Sequence, residues 1–213
     1  MGIFKSLTAG LIAASVAVSA MAQEKWQEGQ HYQTLANPVT VSAMDDGIEV
    51  VEVFWYGCGY CNEFEPIVQA WKKDLSDDVN FVLLPAPMSR SSEAHAYAFY
   101  ASEALGARDK THEALYKALA VDRKPLNSAS ELAEYLAEQG VDREAFIKAY
   151  NSFGVKAGVQ RARSVLRGAQ VSGTPTLLVA GKYKTSPAMA GGYEESLEVV
   201  DYLLEKEIAT RAE

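Results

Sequence analysis

The stretch IEVVEVFWYGCGYC, residues 48–61, decides the fold. Residues 48–55 form an unbroken run rich in β-branched and aromatic side chains, the pattern of a strand that is buried on both faces. Tyr56 and Gly57 end the run, and Cys58 stands where a helix should begin. The segment therefore predicts a central strand that leads directly into a helix with two cysteines near its first turn.

The residues that follow complete a strand–helix–strand unit. After the second cysteine, one apolar stripe continues at helical spacing and consists of Phe64, Ile67, Val68 and Trp71. A second β-rich run covers residues 80–84 and stops at Pro85. A C-x-x-C motif between a strand and a helix, with another strand behind it, is typical of the first half of a thioredoxin-like unit.

The rest of the chain predicts a helical insertion and then the second half of the same unit. Short apolar periodicities between residues 91 and 153 indicate several helices, and residues 155–169 indicate a longer one. A strand follows at 176–179 and a final helix at 194–209. We therefore expect an α/β protein with a thioredoxin-like fold. Its two parts would span residues 23–90 and 154–213, with an inserted helical domain at 91–153.

Composition and charge exclude several classes of protein. The chain has 213 residues, 48% of them hydrophobic and 23% charged, which fits a folded domain rather than a disordered chain. Its formal net charge is −8, and no cluster of Lys and Arg marks a nucleic-acid-binding face. Nucleic acid is therefore not an expected partner. A monomer is the default expectation for the oligomeric state.

The first 22 residues have the pattern of a secretory signal peptide. One cation at Lys5 precedes an apolar stretch at residues 7–20, and Ala20-Met21-Ala22 forms a small-x-small cleavage site. The apolar stretch is short for a membrane span, although an uncleaved anchoring helix is the alternative. We expect cleavage after Ala22 and a mature protein outside the cytoplasm, in an oxidising compartment.

The chain's two cysteines, Cys58 and Cys61, both lie in the C-x-x-C motif. A disulfide between them closes a loop too short to stabilise the fold much, so its chemistry is the better reason for its presence. At the start of a helix, unpaired backbone N–H groups and the helix dipole stabilise the anion of the first sulfur. We expect Cys58 to be the exposed nucleophile and Cys61 the buried resolving partner in thiol–disulfide exchange.

A metal site and a purely structural disulfide are the two alternatives for the C-x-x-C motif. Such a pair can be half of a metal site, but a closed tetrahedral site needs two more ligands. His31, His95 and His112 are scattered without the spacing of metal ligands. A structural disulfide would gain little from so short a loop. We expect neither a metal nor any other cofactor.

The tripeptide Gly173-Thr174-Pro175 stands just before the predicted strand at 176–179. In a thioredoxin-like fold, a cis proline at this point faces the active disulfide. The residue before it then offers backbone groups to an extended peptide. We therefore expect Thr174 and Pro175 to bind peptide beside the cysteines. An ordinary trans proline at a strand edge is the alternative.

Together these motifs resemble the DsbA family of periplasmic thiol–disulfide oxidases, and the likeness covers nearly the whole chain after residue 22. It is carried by FWYGCGYC at 54–61, NSF at 151–153, GTP at 173–175 and GKY at 181–183. The resemblance implies a periplasmic enzyme that donates its disulfide to exported, unfolded proteins with free thiols, through a mixed disulfide at Cys58. It also implies reoxidation by a DsbB-like membrane quinone reductase.

The resemblance gives Glu52 a role as well. Glu52 lies six residues before Cys58, where the family carries a buried acid that helps to move a proton to or from Cys61. A glutamate at a strand edge or facing solvent is the alternative. Glu65 matches a second acidic position of the family. The family's lysine near the buried acid has no counterpart among residues 80–87.

The dipeptide between the cysteines departs from the best-known members of the family. They carry Pro-His, whereas this chain carries Gly59 and Tyr60, and a tyrosine offers only a neutral hydroxyl. We expect both residues to tune the redox properties of the pair. We predict a Cys58 pKa below that of a free thiol but above that of Pro-His members, and a less oxidising disulfide.

Rival functions remain open at this point. A disulfide isomerase or reductase on the same fold is the nearest alternative, although residues 23–47 are too few for the added dimerisation domain that such isomerases usually carry. A chaperone that binds peptide without exchange belongs to a different class. A measurement of the redox potential or of partner choice would identify a reductase. Replacement of both cysteines would identify a chaperone, because a protein that only binds peptide would keep its activity.

Overall fold

The hydrophobic run at residues 48–54 forms the middle of a mixed sheet. The computed structural model describes residues 25–41 and 47–211, so the predicted signal peptide at 1–22 and its cleavage after Ala22 lie outside the described residues. The strands within the described ranges are β1 (Gln33–Thr34), β2 (Ile48–Phe54), β3 (Val79–Pro85), β4 (Thr176–Val179) and β5 (Tyr183–Thr185). Their order in the sheet is β1-β5-β4-β2-β3.

Strand pairing places the C-x-x-C motif at one end of β2. β2 pairs in parallel with β3 and antiparallel with β4, and β5 pairs antiparallel with both β4 and β1. A parallel pair needs a crossover connection, which α1 (Gly59–Trp71) provides together with a 3₁₀ turn at Lys72–Asp74. The chain therefore leaves the centre of the sheet and enters α1 within a few residues, as the sequence predicts.

The predicted helices are present, with small differences at their ends. The insertion contains α2 (Arg90–Ala104), α3 (Arg108–Tyr116), a π-helical turn (Lys117–Val121), α4 (Ala129–Ala137) and α5 (Arg143–Tyr150). The second half of the chain adds α6 (Phe153–Gly168), the single turn α7 (Pro187–Ala190) and α8 (Tyr193–Arg211). No helix of the described chain is long and apolar enough to cross a membrane.

Capping side chains set several of these helix ends. The side chain of Asp142 accepts a hydrogen bond from the backbone N–H of Ala145 and begins α5. Ser128 begins α4 in the same way, because its side chain accepts a hydrogen bond from the backbone N–H of Glu131. The side chain of Glu131 accepts a hydrogen bond from the backbone N–H of Asn127, the residue before Ser128. α6 begins two residues before its predicted start at residue 155 because Ser152 caps it.

The two faces of the sheet bury alternate residues of β2. Val50 packs with Phe64 of α1 in a cluster that also includes α8. Val51 lies on the opposite face, in a cluster with residues of α6. A strand that is covered on both faces must be apolar at nearly every position, which explains the unbroken run in the sequence. By the same alternation, Glu52 faces the α1 side of the sheet.

The helical insertion shares its core with the sheet. One cluster of buried residues joins Leu115 of α3 and Phe146 of α5 to Phe54, Tyr56 and Cys61 at the end of β2 and the start of α1. The sequence instead suggests an insertion with a core of its own. The shared core fixes α2 and α3 against the cysteine motif, so the insertion forms one wall of the site.

Candidate active site

Cys58 is the N-cap residue of α1. Its sulfur accepts a hydrogen bond from the backbone N–H of Cys61 at 3.4 Å, and the first turn of the helix carries no acidic residue. The thiol is half-buried. A hydrogen bond from the Cys61 side chain outweighs the opposing effect of burial and, with bonds from Thr174 and the helix N–H groups, lowers the pKa of Cys58 to about 6. At neutral pH Cys58 is therefore mostly thiolate, the reactive form.

Cys61 lies one turn further along α1 and is fully buried. Burial, together with the neighbouring Cys58, raises the pKa of the Cys61 thiol. Both cysteines are free thiols, so the structure shows the reduced form of the pair. One sulfur is thus ionised and reaches the surface, whereas the other is protonated and enclosed. This difference suits a nucleophile and a resolving partner in disulfide exchange.

The segment at Thr174 and Pro175 lies directly against the first cysteine. The peptide bond between these two residues is cis, as the GTP motif predicts. The sulfur of Cys58 lies 3.4 Å from the carbonyl oxygen of Thr174, and its thiol form donates a hydrogen bond to that oxygen. Residues from opposite halves of the chain therefore meet at one point on the surface.

A mostly apolar groove opens beside this contact. Its volume is ≈ 310 Å³, and it is lined by Tyr60, Thr174, Pro175, Pro187, Ala188, Gly192 and Tyr193. Tyr60 is 70% exposed, which is high for a large aromatic side chain. Gly59 is exposed as well. The dipeptide between the cysteines therefore faces solvent and the groove rather than the core.

Glu52 is fully buried on the α1 face of β2, so the solvent-facing alternative is wrong. Neither of its carboxylate oxygens has a hydrogen-bond partner among the residues that the structure describes. Burial raises the pKa of Glu52 well above its usual range, and the nearby charge of Glu65 raises it further. The charge of Lys72 opposes this shift. Residues 80–87 contain no cation. The cation that acts on Glu52 is Lys72, which lies in the 3₁₀ turn after α1.

A polar network connects the sheet to α3 beside the cysteines. Nδ1 of His112 lies 2.8 Å from the hydroxyl of Tyr56, and its Nε2 lies 3.3 Å from Oε1 of Glu65. Burial by itself would raise the pKa of Glu65, but the neighbouring His112 and the Gln69 amide lower it overall. The network borders an open cavity of ≈ 560 Å³ between α1 and α3.

A second histidine bonds to the segment between β2 and the C-x-x-C motif. His95 accepts a hydrogen bond at Nδ1 from the indole N–H of Trp55 (2.9 Å), and its Nε2 lies 2.9 Å from the carbonyl oxygen of Leu126. Gly57 leaves room for the Trp55 ring, because a Cβ at this position would lie 2.4 Å from it. The sequence gives no local signal for these contacts, since His95 lies 40 positions after Trp55.

Two of the three histidines, His95 and His112, thus form hydrogen bonds near the motif. His95 and His112 bond to residues just before Cys58, whereas His31 bonds to the backbone N–H of Gln27 at the other end of the sheet. Within the part of the chain that the structure describes, no group of three or more His, Cys, Asp and Glu side chains converges as a metal site would require.

Comparison with known proteins agrees with this geometry. Residues 49–203 match the family described as the DSBA-like thioredoxin domain. The chain is 41% identical over 203 residues to the thiol:disulfide interchange protein DsbA of Pseudomonas aeruginosa. The aligned residues cover 95% of this chain and 96% of that protein. It is 36% identical over 200 residues to DsbA of Burkholderia cepacia, covering 94% and 91% of the two chains.

The crystal structure of Pseudomonas aeruginosa DsbA has a TM-score of 0.84 to this structure, with 39% identity over 88% of this chain and 97% of that one. These findings confirm the resemblance that the sequence motifs indicate, and they agree with the thioredoxin-like fold and its helical insertion. The Cys58–Cys61 motif is the redox pair of such an enzyme. The chain therefore belongs to the DsbA family of thiol–disulfide oxidoreductases.

Proposed function

We propose that this enzyme donates the Cys58–Cys61 disulfide to exported proteins that are still unfolded and carry free thiols. The unequal pair of thiols carries the proposal. The pKa of Cys58 falls to about 6, whereas burial raises the pKa of Cys61. Stabilising the thiolate of the reduced form makes the disulfide easier to reduce, so the oxidised enzyme gives its disulfide away readily.

The exchange proceeds through a mixed disulfide at Cys58. A substrate thiolate attacks the sulfur of Cys58, because that sulfur is half-buried whereas Cys61 is enclosed. The Cys58–Cys61 bond breaks, and Cys61 leaves as a thiolate that takes up a proton. A second substrate thiolate then attacks the substrate's own sulfur and releases Cys58 as a thiolate. Two electrons pass from the substrate to the enzyme, and the substrate gains a disulfide.

Glu52 carries the proton that Cys61 needs. Burial raises the pKa of the Glu52 carboxyl well above its usual range, so it holds its proton more tightly than an exposed carboxyl and can act as a general acid toward a thiolate formed beside it. In the reverse direction, its carboxylate accepts the proton of Cys61 before that sulfur attacks. The enclosed position of both groups supports this role, since neither exchanges protons directly with bulk water.

The apolar groove beside Cys58 holds the substrate peptide. Thr174 and Pro175 form its wall next to the sulfur, and Tyr60 and Tyr193 offer apolar ring surface to the substrate's side chains. An extended segment can bond to the backbone around Thr174 by strand addition. Gly59 and Tyr60 additionally influence the pKa of Cys58 and thereby the redox properties of the pair. An unfolded chain suits this site, because its backbone and apolar side chains are exposed.

The family resemblance supports the remaining partners. A DsbB-like membrane quinone reductase would reoxidise Cys58 and Cys61. A monomer remains the default expectation for the oligomeric state. The signal-peptide pattern at residues 1–22 supports export to the periplasm with cleavage after Ala22. Disulfides persist in the periplasm, so an enzyme that donates a disulfide to exported proteins is useful there.

The direct test uses a reduced, unfolded protein with several cysteines as substrate. The oxidised enzyme is mixed with it in equal amounts, and substrate disulfides are counted by alkylation and mass spectrometry. We expect rapid oxidation by the parent and none by Cys58→Ser. In Cys61→Ser that carries an activated mixed disulfide at Cys58, substrate should become trapped on Cys58.

Two results would contradict the proposal. A double variant of Cys58 and Cys61 that still assists refolding of the substrate would indicate a chaperone. Faster reduction of substrate disulfides by the reduced enzyme than oxidation of thiols by the oxidised enzyme would indicate a reductase. Replacing the exposed Glu134 by Gln gives a matched control outside the site.

A further inference from the structure

Two carboxylates border the apolar groove beside Cys58. Glu63 of α1 accepts a hydrogen bond at Oε2 from the hydroxyl of Tyr193 at 2.9 Å, and Tyr193 lines the groove. A Cβ at Gly192 would collide with Oε2 of Glu195, so the Glu195 carboxylate lies directly against a second residue of the groove wall. Both glutamates are exposed. The residues that line the groove are themselves uncharged, so these two carboxylates give its border a negative charge.

The groove wall combines aromatic rings with apolar surface. Tyr60 and Tyr193 both line the groove, and Tyr60 is largely exposed. The face of an aromatic ring carries a negative electrostatic potential and attracts a cation placed over it. Pro187 and Ala188 add apolar surface, which suits the methylene groups in the stem of a long basic side chain. The wall thus fits both parts of such a side chain.

Tyr193 is held in place at this border. Its ring stacks on the buried ring of Phe64, with centroids 5.4 Å apart and an angle of 19° between the planes. Burial and the hydrogen bond to Glu63 raise the pKa of Tyr193 to about 12, so its hydroxyl keeps its proton at neutral pH. The bond orients the Glu63 carboxylate beside the groove. A carboxylate accepts several hydrogen bonds, so it can bind a cation while it accepts this one.

We propose that this groove selects substrates with a basic side chain, arginine above all, two positions away from the reacting cysteine. The inference deepens the proposed function, on which it rests, by naming a class of preferred substrate. Arginine suits the site best, because its planar guanidinium stacks on aromatic rings and forms paired hydrogen bonds to a carboxylate. Glu63 and Glu195 are then specificity-determining residues, and neither acts on a sulfur.

Strand geometry gives the position of the basic residue. Thr174 lies against the sulfur of Cys58 and also lines the groove. In an extended peptide bonded at Thr174, side chains two positions apart lie on the same face and are about 6.6 Å apart. The residues two positions before and after the reacting cysteine therefore face the enzyme as the cysteine does. The residues next to that cysteine face away.

The test measures the attack of a substrate thiolate on Cys58 as a single step. Cys61→Ser, with an aromatic thiol bound to Cys58 as a mixed disulfide, is the reference protein. The thiolate of a peptide attacks the Cys58 sulfur, the bond to the aromatic thiol breaks, and the released aromatic thiolate is followed by absorbance. The peptides contain one cysteine among neutral residues, with arginine, lysine, alanine or glutamate two positions away on both sides.

We expect the arginine peptide to react about tenfold faster than the glutamate peptide, as a carboxylate pair and a ring contact together allow. Lysine and alanine should fall between them, in that order. Salt at about 1 M should reduce the preference to about twofold, because it screens exposed charges. Arginine placed next to the cysteine should lose most of its advantage, since that side chain faces away from the groove.

Variants of the two carboxylates identify the source of the preference. In the reference protein, Glu63→Gln and Glu195→Gln should each reduce the ratio of arginine to glutamate rates, and both together should bring it near one. Glu63→Lys should favour the glutamate peptide. Because every variant receives the same peptides, effects of arginine or glutamate on the peptide's own thiol cancel in this comparison. Glu134→Gln, on α4, is the matched control and should keep the reference ratio.

Three results would overturn the proposal. The first is equal rates for the arginine and glutamate peptides in the reference protein. The second is an unchanged ratio in the double variant of Glu63 and Glu195. The third is an equal advantage for arginine next to the cysteine and two positions away, which would indicate an effect of net charge alone. Failure of the parent enzyme to oxidise a reduced, unfolded protein would instead refute the proposed function.

Discussion

The sulfur of Cys58 lies 3.4 Å from the carbonyl oxygen of Thr174, a residue 116 positions later in the chain. This contact joins the start of α1 to the segment before β4, which are the two halves of the thioredoxin-like unit. A peptide that bonds to the backbone at Thr174 is therefore already beside the nucleophile. We therefore expect substrate binding and exchange to depend on the same few atoms.

The first prediction concerns the source of the Cys58 acidity. The hydrogen bond from the Cys61 side chain is the largest cause of the low Cys58 pKa. Cys61→Ala removes that donor and should raise the Cys58 pKa by about one unit, since a bond to a charged group contributes about 1.5–3 kcal/mol. The rate of alkylation of Cys58 as a function of pH measures the change.

Cys61→Ser is the control for this measurement, because a hydroxyl can donate the same hydrogen bond. Its alkylation profile should have a midpoint near that of the parent, at about pH 6. Equal midpoints for Cys61→Ala and Cys61→Ser would mean that the helix terminus alone lowers the Cys58 pKa, contrary to this account.

The second prediction concerns the dipeptide between the cysteines. Replacing Gly59 by Pro and Tyr60 by His should lower the Cys58 pKa further, because an imidazole adds a donor or a positive charge near the thiolate. A decrease of one unit is about 1.4 kcal/mol, so the equilibrium with glutathione should move about tenfold toward the reduced enzyme. Thiolate absorbance and the glutathione equilibrium must change together.

Gly59→Pro alone serves as the control, because it keeps Tyr60. It should produce only a small part of the change. A double variant whose thiol is no more acidic than the parent's would show that Gly59 and Tyr60 do not weaken this oxidant.

The third prediction follows from the burial of Glu52. Its pKa is raised in the folded protein, so the native state binds a proton more tightly than the unfolded state does. The free energy that protonated Glu52 contributes to folding is fully present at a pH below its pKa in the unfolded state. It is lost as the pH rises through its pKa in the folded state. Glu52→Gln stays neutral and should gain about 1–3 kcal/mol over the parent at pH 8.

Denaturant unfolding of the reduced proteins at pH 5 and pH 8 measures this effect. The advantage of Glu52→Gln should shrink toward pH 5, where the parent's carboxyl is protonated. Glu134→Gln removes an exposed carboxylate and should show no such trend. An advantage that is the same at both pH values would contradict a titrating Glu52.

Much of this site can be predicted from the sequence. The end of a buried strand, a C-x-x-C motif and a helical stripe follow one another within 24 residues, at positions 48–71, so local patterns suffice to place Cys58 at a helix start. The family resemblance further identifies Glu52, which a strand pattern alone cannot distinguish from an edge residue. Burial of Glu52 becomes evident only when α1 and α3 cover it.

The rest of the site depends on packing between distant elements. Lys72 belongs to the turn after α1, and the way that α1 lies on the sheet brings its charge near Glu52. His112 and Tyr116 reach the site because the insertion shares its core with Phe54 and Cys61, and no periodicity reveals a shared core. The helical stripe of α3 predicts which residues are buried but not what they face.

The fourth prediction concerns His95. Burial lowers its pKa, and the Trp55 indole N–H donates to its Nδ1, so the neutral ring is the bonded form. A lowered pKa contributes stability that is present above the unfolded value of about 6.5 and is lost as the pH falls toward the folded pKa. The parent should therefore lose stability relative to His95→Gln between pH 7 and pH 5.

Unfolding curves for the two proteins across this range test the prediction, and Trp fluorescence reports on the same contact. At pH 7.5, His95→Gln should be less stable by about 1 kcal/mol, because the hydrogen bonds are weakened. A constant difference between the two proteins from pH 7.5 to pH 5 would mean that His95 does not titrate in the folded protein.

The equilibrium of the Cys58–Cys61 pair with glutathione tests the central claim most directly. The reduction potential is obtained from the fraction of oxidised enzyme across a series of glutathione ratios. We predict a potential well above that of thioredoxin, about −270 mV, because the thiolate of Cys58 stabilises the reduced form. A value at or below that of thioredoxin would contradict a disulfide donor and would identify the enzyme as a reductase.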